Sequence, residues 1–229
     1  MTANPLDRPI WNSLISHRAQ FALGIGLARR FAPQYGPLTG AADASPESLA
    51  ALAALPVDEG GLWALEADPV PPPPGMVVTQ EAVGVQMVAD RLIHADSDLA
   101  WVNLTDDDAA EMLALATLTK PGPFAEQTHR LGQFIGVRQD GVLIAMAGER
   151  MRLPGYTEVS GVCTHPGHRG RGHAAALMRA VMARIIATGE TPFLHAYASN
   201  TGAIALYESL GFGVRRQMAV TVLVKAGEA

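Results

Sequence analysis

One stretch, residues 157–188, constrains the fold more than any other, because a strand, a turn and a helix are predicted there in immediate succession. Residues 157–164 are rich in Val and Thr and lie between Gly155 and Pro166, a pattern typical of a β-strand. From about residue 171 to residue 188, apolar side chains recur at helical spacing, and Gly189 is a suitable helix end. The sequence therefore predicts a central strand that leads directly into an amphipathic helix.

The turn between this strand and helix is rich in glycine and arginine, with the sequence HRGRGHA at residues 168–174. A helix N-terminus leaves several backbone N–H groups unpaired and carries a partial positive charge. Glycine allows the backbone to approach an anion closely, and the forked guanidinium donors of Arg169 and Arg171 suit phosphate oxygens. These features together predict a pyrophosphate-binding site at the junction.

The same residues resemble a known family. The hexapeptide RGRGHA at residues 169–174 matches the acyl-CoA signature R/Q-x-x-G-x-G/A of the GNAT N-acetyltransferase superfamily. Residues 200–212, NTGAIALYESLGF, are similar to the second signature of that family, at the family's spacing. The resemblance covers about residues 76–225. It implies an acyltransferase that moves an acetyl group from acetyl-CoA to a primary amine by direct attack in a ternary complex.

The resemblance also implies which residues hold acetyl-CoA, the cosubstrate. In the family, the central strand and the next strand diverge, and the pantetheine arm lies in the gap. The residues expected to bind acetyl-CoA are Val162, Cys163, Thr164, Arg169, Gly170, Arg171, Gly172, His173, Ala174, Asn200 and Ala203. Asn200 is also expected to cap the following helix, and Gly161 to form a bulge where the strand bends.

One tyrosine and one of two glutamates are predicted to transfer protons. Tyr207, in the second turn of the helix after Asn200, is expected to protonate the departing CoA thiolate, because a phenol within hydrogen-bond reach can act as a general acid. Glu158, at the start of the central strand, is the candidate general base for the attacking amine, and Glu149 is another. Water can also accept the amine proton, so the mechanism does not require either carboxylate.

Two other functions compete with this one. The first is a dinucleotide-binding oxidoreductase, because Gly170, Gly172 and Ala175 also fit a dinucleotide-binding fingerprint. Against it, no acidic residue ends the following strand, where a ribose needs one. The other is an acyl-CoA-binding module without turnover, against which Tyr207 argues. Covalent catalysis by Cys163 is not expected, because no partner base is apparent. No metal is expected, because the histidines near the turn fit no standard ligand spacing.

The order of the predicted elements after residue 75 indicates an α/β fold. A strand, two helices, a hairpin at Asp140-Gly141, the central strand and a helix are followed by a strand, a helix and a strand. This order predicts a GNAT-like mixed, mostly antiparallel sheet flanked by helices.

The first 74 residues are expected to form a mainly helical N-terminal appendage. Apolar residues at positions 7–31 predict a helix, and another helix is predicted to start after Ser45, with Pro46 at its first position. Four consecutive prolines at 71–74 form a stiff segment and mark a boundary. The predicted organisation is an appendage with a proline-rich linker at 1–74 and a GNAT-like acetyltransferase domain at 75–229.

Composition limits the partners. A chain of 229 residues with 48% hydrophobic and 17% charged residues is globular. The net charge of −5 offers no basic surface for nucleic acid, and no apolar run is long enough to span a membrane. A single cysteine fits a reducing compartment, so a cytoplasmic location is expected. The amine acceptor, a small molecule or a peptide, carries no recognisable motif, and homodimers are common in the family.

Overall fold

Eleven strands form one continuous sheet in the computed structural model, which describes residues 4–94 and 99–227. In chain order the strands are β1 (Ala22–Leu23), β2 (Ala28–Phe31), β3 (Leu38–Ala41), β4 (Leu62–Glu66), β5 (Met76–Ala89), β6 (Val102–Leu104), β7 (Phe134–Gln139), β8 (Val142–Leu153), β9 (Tyr156–Thr164), β10 (Thr191–Tyr197) and β11 (Phe212–Lys225). The α-helices are α1 (Pro9–Leu14), α2 (Pro46–Ala53), α3 (Ala109–Thr119), α4 (His173–Ala187) and α5 (Thr201–Ser209).

Most neighbouring strands are antiparallel. The order across the sheet is β1-β2-β3-β4-β11-β5-β10-β9-β8-β7-β6. Within the described residues the parallel pairs are β3 with β4 and β9 with β10. The predicted α/β architecture, a mixed and mostly antiparallel sheet flanked by helices, is therefore confirmed. No helix in residues 4–94 and 99–227 is both long and apolar enough to cross a membrane.

Local sequence signals define several element boundaries. Thr105 and Asp108 form a capping box ahead of α3, and Ser45 caps α2 by accepting a backbone N–H at 3.3 Å. β7 and β8 are joined through Asp140 and Gly141, whose φ values of 52° and 82° are those of a tight hairpin turn. These boundaries follow from residues close together in the chain.

The two faces of the sheet are covered by different parts of the chain. On one face, here called the α4 face, buried residues of α4 pack against strands such as β10 through Leu194. The opposite face, here called the N-terminal face, is covered by α1 and its flanking residues, which pack against β10 through Phe193. Phe193 and Leu194 are consecutive, so their side chains must point to opposite faces.

The prediction of a mainly helical N-terminal region is wrong. A single helix was predicted at 7–31, but the α-helix there, α1, covers Pro9–Leu14. The chain then continues into β1 and β2. Gly24 and Gly26 have φ values of 91° and 69° in the turn between these strands. Ile25, assigned to the apolar helical face, is 89% exposed. The spacing of the apolar residues was compatible with a helix and with short strands, and pairing with neighbouring strands decided for strands.

The N-terminal strands belong to the same sheet as the rest of the chain. β4 pairs antiparallel with β11, which pairs with β5 on its other side. The boundary predicted between residues 74 and 75 falls in the connection from β4 to β5. The division into two domains stays a prediction, and its ends at residues 1–3 and 228–229 lie outside the described residues.

Candidate active site

A cleft forms where β9 and β10 separate. Their parallel pairing runs from Thr191 with Tyr156 to Phe193 with Glu158 and stops there. Beyond this pair the strands diverge, and a cavity of about 720 Å³ lies between them, extending to the turn before α4. The cleft therefore has a closed apex at Glu158 and an open end at the turn.

The structure brings the predicted site residues together around this cleft. Those lining it are Glu158, Val162, Cys163, Thr164, Arg169, Gly170, Arg171, Gly172, His173, Ala174, Asn200, Ala203 and Tyr207. Glu149 is not among the residues that line the cleft, and its carboxylate is ion-paired with Arg184 at 2.9 Å. The individual roles of these residues stay predictions.

β9 carries one extra residue at the wall of the cleft. Its register with β8 shifts between Ser160 and Cys163. Gly161 lies in this bulge with a φ of 62°, and a Cβ there would lie 2.6 Å from the Phe134 ring. Conformation and crowding both require glycine, so the predicted bulge is confirmed.

The turn at the open end presents a helix N-terminus. Gly170 and Gly172 have φ values of 75° and 78°, in the left-handed region that favours glycine. No side chain caps α4, and its first backbone hydrogen bond runs from Ala176 N–H to the Gly172 carbonyl at 3.0 Å. The preceding N–H groups have no partner within the helix and form an anion-binding arrangement. Within the described chain, neither Arg169 nor Arg171 forms an ion pair with a carboxylate.

Three buried polar atoms beside the turn fit a bound ligand. Thr164 Oγ1, His168 Nδ1 and His173 Nδ1 have no hydrogen-bond partner among the described residues, and all three residues line the cleft. Buried polar atoms in proteins are nearly always hydrogen-bonded. The polar groups of a pantetheine arm or a pyrophosphate are suited to satisfy them.

Tyr207 enters the cleft from the α4 face. α5 begins after Asn200, whose Oδ1 accepts the Ala203 N–H at 3.3 Å, so the predicted N-cap is confirmed. Further along α5, the Tyr207 ring packs edge-on against Phe212, with 6.3 Å between ring centroids. Burial raises the pKa of Tyr207. The phenol therefore stays protonated, as a proton donor must.

Glu158 lies in a buried polar network at the apex. Its carboxylate accepts hydrogen bonds from Arg150 Nε at 2.9 Å and Nη2 at 3.0 Å, and it lies 2.9 Å from His195 Nδ1. Burial alone raises the pKa of this carboxyl, but the Arg150 charge and the hydrogen bonds from His195 and Arg150 outweigh it and lower the pKa to about 2. Glu158 is therefore an anion and a weak proton acceptor by itself.

Sequence reasoning missed His195, which joins Glu158 to Gln86. Gln86 Nε2 lies 2.9 Å from His195 Nε2 and donates to the Leu6 carbonyl at 2.8 Å. Gln86 Oε1 accepts from Arg215 Nε at 2.7 Å, which fixes the orientation of the amide. His195 Nε2 therefore accepts from Gln86, and Nδ1–H donates to Glu158. No local pattern predicts this contact, because Gln86 and His195 are 109 residues apart in the chain.

Cys163 lies beside the cleft as a buried thiol. Burial raises the pKa of Cys163 to about 11, so its sulfur is a thiol at neutral pH and a poor nucleophile. Across residues 4–94 and 99–227, no group of three or more His, Cys, Asp or Glu side chains is arranged to hold a metal ion.

Comparison with known proteins identifies the family. A family model described as FR47-like protein matches residues 134–221. A GNAT-family protein of known structure from Novosphingobium aromaticivorans DSM 12444 is 50% identical, with a TM-score of 0.90 over 98% of this chain and 100% of that one. A GCN5-related N-acetyltransferase from Kribbella flavida shares the fold at 16% identity, with a TM-score of 0.61 over 92% of this chain and 95% of that one. No curated protein matches the sequence. Because half of its residues are identical to those of the Novosphingobium protein over nearly the whole length, the chain belongs to the GNAT family of acetyltransferases.

Proposed function

We propose that the protein transfers the acetyl group of acetyl-CoA to a primary amine by direct attack in a ternary complex. The observation that carries this proposal is the cleft between β9 and β10, which joins an anion-binding turn to a polar apex. Along β9, the six steps from Thr164 to Glu158 span roughly 20 Å. This length accommodates an extended pantetheine arm, with the pyrophosphate at the turn and the thioester toward the apex.

Several groups support the binding of the cosubstrate. The uncapped N-terminus of α4 and the guanidinium groups of Arg169 and Arg171 are suited to the pyrophosphate oxygens. Val162, Cys163 and Thr164 line the cleft next to the bulge, and their backbone groups are suited to the amide groups of the pantetheine arm. The unpartnered Thr164 hydroxyl lies on the same wall.

The candidate acid and base approach the thioester from opposite faces of the sheet. Tyr207 packs with the core on the α4 face, where it can protonate the departing thiolate. His195 shares the N-terminal face with Phe193, two residues earlier on β10. The amine therefore attacks from the N-terminal face, and the thiol leaves toward the α4 face.

We assign the proton-accepting function to Glu158 acting through His195. A carboxylate bonded to Nδ1–H holds the imidazole in one tautomer and stabilises the imidazolium that forms when Nε2 takes a proton. In the structure the Gln86 amide occupies Nε2 at 2.9 Å. The incoming amine, or a water between them, must replace that hydrogen bond before proton transfer.

The fold separates this proposal from the dinucleotide-binding alternative. Dinucleotide-binding sheets of the doubly wound type are mostly parallel. Here the pairs around the cleft are antiparallel except for β9 with β10. A cytoplasmic location and a homodimer stay predictions.

Titration calorimetry of the purified protein with acetyl-CoA, CoA and NAD tests the site. We expect acetyl-CoA binding that weakens at least about tenfold in the Arg169→Ala, Arg171→Ala double variant, because each lost charge-assisted contact contributes more than 1 kcal/mol. NAD binding instead, or no binding of either form of CoA, contradicts the proposal. Thiol release with a panel of amines then separates an enzyme from a module that only binds acyl-CoA.

A further inference from the structure

A second and smaller cavity, here called the side pocket, adjoins the cleft on the N-terminal face of the sheet. It has a volume of about 90 Å³. Its walls are mostly apolar and are formed by Leu38, Trp63, Leu65, Pro121, Pro123 and Val220, among others. Arg150, His195 and Tyr197 line both the side pocket and the cleft. The side pocket therefore begins where the proposed function places the attacking amine.

Gly84 makes room for the side pocket. It pairs with Tyr197 across the β5–β10 ladder and shares its face with Gln86, two residues further along β5. A Cβ at position 84 would lie 3.4 Å from the Ala196 carbonyl oxygen and 3.6 Å from Val220 Cγ2. A methyl group fits these distances, whereas a branched side chain would fill the pocket.

The N-terminal strands supply one wall of the side pocket. Leu38 belongs to β3, and Trp63 and Leu65 belong to β4. The indole N–H of Trp63 donates to the Gly60 carbonyl at 2.9 Å, so the indole presents carbon surface to other neighbours. The N-terminal part of the chain thus helps to form the proposed acceptor side.

The charge at the side pocket is already neutralised. Arg150 forms two hydrogen bonds with the Glu158 carboxylate, and its Nη1 lies 3.4 Å from the Pro123 carbonyl. No Asp or Glu is among the described residues that line this pocket. A charged substituent placed there would lose its water without gaining a partner, whereas an apolar substituent gains from leaving water.

We propose that the side pocket binds the substituent of the acceptor, and that the acceptor is a primary amine with a compact uncharged aliphatic or aromatic group. This inference rests on the proposed function, which supplies the acetyl donor. The neutral amine nitrogen attacks the thioester carbonyl carbon, so a C–N bond forms and the C–S bond breaks. The nitrogen loses one proton to His195, the thiolate gains one from Tyr207, and both residues regain their resting state by exchange with water.

A kinetic comparison of amines tests the substrate class. The full-length protein is assayed with acetyl-CoA and 2-phenylethylamine, 3-methylbutylamine, ethylamine or spermidine. We expect kcat/KM for the two larger apolar amines to exceed that for ethylamine and spermidine by about tenfold or more, since one methylene group in a fitting pocket contributes about tenfold. A preference for spermidine overturns the inference.

A pair of matched variants tests the pocket itself. Gly84→Val should lower kcat/KM for 2-phenylethylamine about tenfold or more and leave ethylamine nearly unchanged. Gly213→Val is the control, because Gly213 also lies on a strand, outside the side pocket, and its added Cβ has no atom within 4 Å. Thermal unfolding checks that both variants fold. Trp63→Ala, which removes another wall, should weaken 2-phenylethylamine binding if Gly84→Val does not fold.

A binding measurement separates this inference from the proposed function. Calorimetry with 2-phenylethylamine and spermidine is performed on the protein alone and in the presence of CoA. Failure of CoA to bind counts against the proposed function, whereas 2-phenylethylamine binding that Gly84→Val removes still supports the side pocket. Absence of binding by 2-phenylethylamine and 3-methylbutylamine, or equal binding to wild type and Gly84→Val, overturns the inference.

Discussion

At the scale of single residues, surroundings decide the chemistry of the two candidate proton-transfer groups. Tyr207 is half-buried on α5, and burial keeps its phenol protonated by raising its pKa. Glu158 is 1% exposed, yet it is an anion because Arg150 and His195 surround its carboxylate. The same glutamate at an exposed strand end would be an ordinary solvated carboxylate, which is how the sequence alone presents it.

The Tyr207→Phe variant tests the general acid. Phenylalanine keeps the ring packing against Phe212 and removes only the hydroxyl, so we expect kcat to fall about 10²-fold and acetyl-CoA affinity to stay unchanged. Steady-state thiol release and calorimetry measure the two quantities. Because burial raises the pKa of Tyr207, wild-type activity should show no loss from ionisation of this phenol around neutral pH. An unchanged kcat in the variant removes Tyr207 from the mechanism.

The Glu158→Gln variant tests the buried ion pair through stability. The pKa of Glu158 is about 2 in the folded protein and 4.5 ordinarily, so its contribution is present above pH 4.5 and lost as the pH falls toward 2. We expect the variant to lower the free energy of unfolding by about 3 kcal/mol at pH 7, because Arg150 is left buried without its carboxylate. Denaturant unfolding should show this difference shrinking below pH 4.5.

A surface pair provides the control for this variant. Glu111 is ion-paired with Arg138, but its side chain is 47% exposed. Glu111→Gln should therefore change the free energy of unfolding by less than about 1 kcal/mol. If Glu158→Gln changes the free energy of unfolding as little as Glu111→Gln does, or by the same amount at pH 7 and pH 3, the role assigned to the buried pair is contradicted.

At the scale of elements, the sequence specifies structure best where the determinants are adjacent in the chain. The helix start at Ser45 and the Asp140-Gly141 turn were predicted because the residues that specify each lie within four positions of one another. The strand, turn and helix around Gly172 are equally local. The helix predicted at 7–31 failed because its apolar residues serve a short helix, a turn and two strands, which contact different partners.

The N-terminus of α4 is tested by a pair of glycine variants at its two ends. Gly172 and Gly189 have φ values of 78° and 79°, and an added Cβ meets no atom within 4 Å at either position. Alanine should therefore cost about 1 kcal/mol of stability at both sites. Only Gly172→Ala should weaken acetyl-CoA binding, about tenfold, by displacing the N–H groups that face the anion. Equal affinities of the two variants in calorimetry contradict the anion site.

At the scale of the whole molecule, the N-terminal region completes both the core and the proposed acceptor side. Leu6, Ile10 and Leu14 are buried against strands of the central sheet, and β4 covers the edge of β11. The Gln86 amide, bonded to the Leu6 carbonyl, ties this segment to the network at the cleft apex. Under the proposed function, stability and acceptor recognition are therefore coupled through one face of the sheet.

Removal of the N-terminal region tests this coupling. In a fragment that begins at Gly75, buried residues such as Met151, Phe193 and Met218 are no longer covered by the N-terminal region. β11 also loses its pairing with β4. We expect the fragment to lose solubility or acceptor activity while any folded fraction still binds acetyl-CoA, because β9, β10 and α4 remain. Size-exclusion chromatography, calorimetry and the amine assay measure these properties. A soluble fragment with full activity contradicts the coupling.

The sequence by itself determined the half of the cleft that is proposed to bind acetyl-CoA, because the strand, the glycine-rich turn and the helix N-terminus are one continuous segment, whose residues meet at one end of the cleft. The tertiary structure alone decided the half that is proposed to bind the acceptor. His195, Gln86 and Gly84 acquire their surroundings from strands that pair across long distances in the chain, and the apolar wall comes from β3 and β4. Strand pairing depends on hydrogen bonds and packing between remote segments, so no local pattern of residues specifies it.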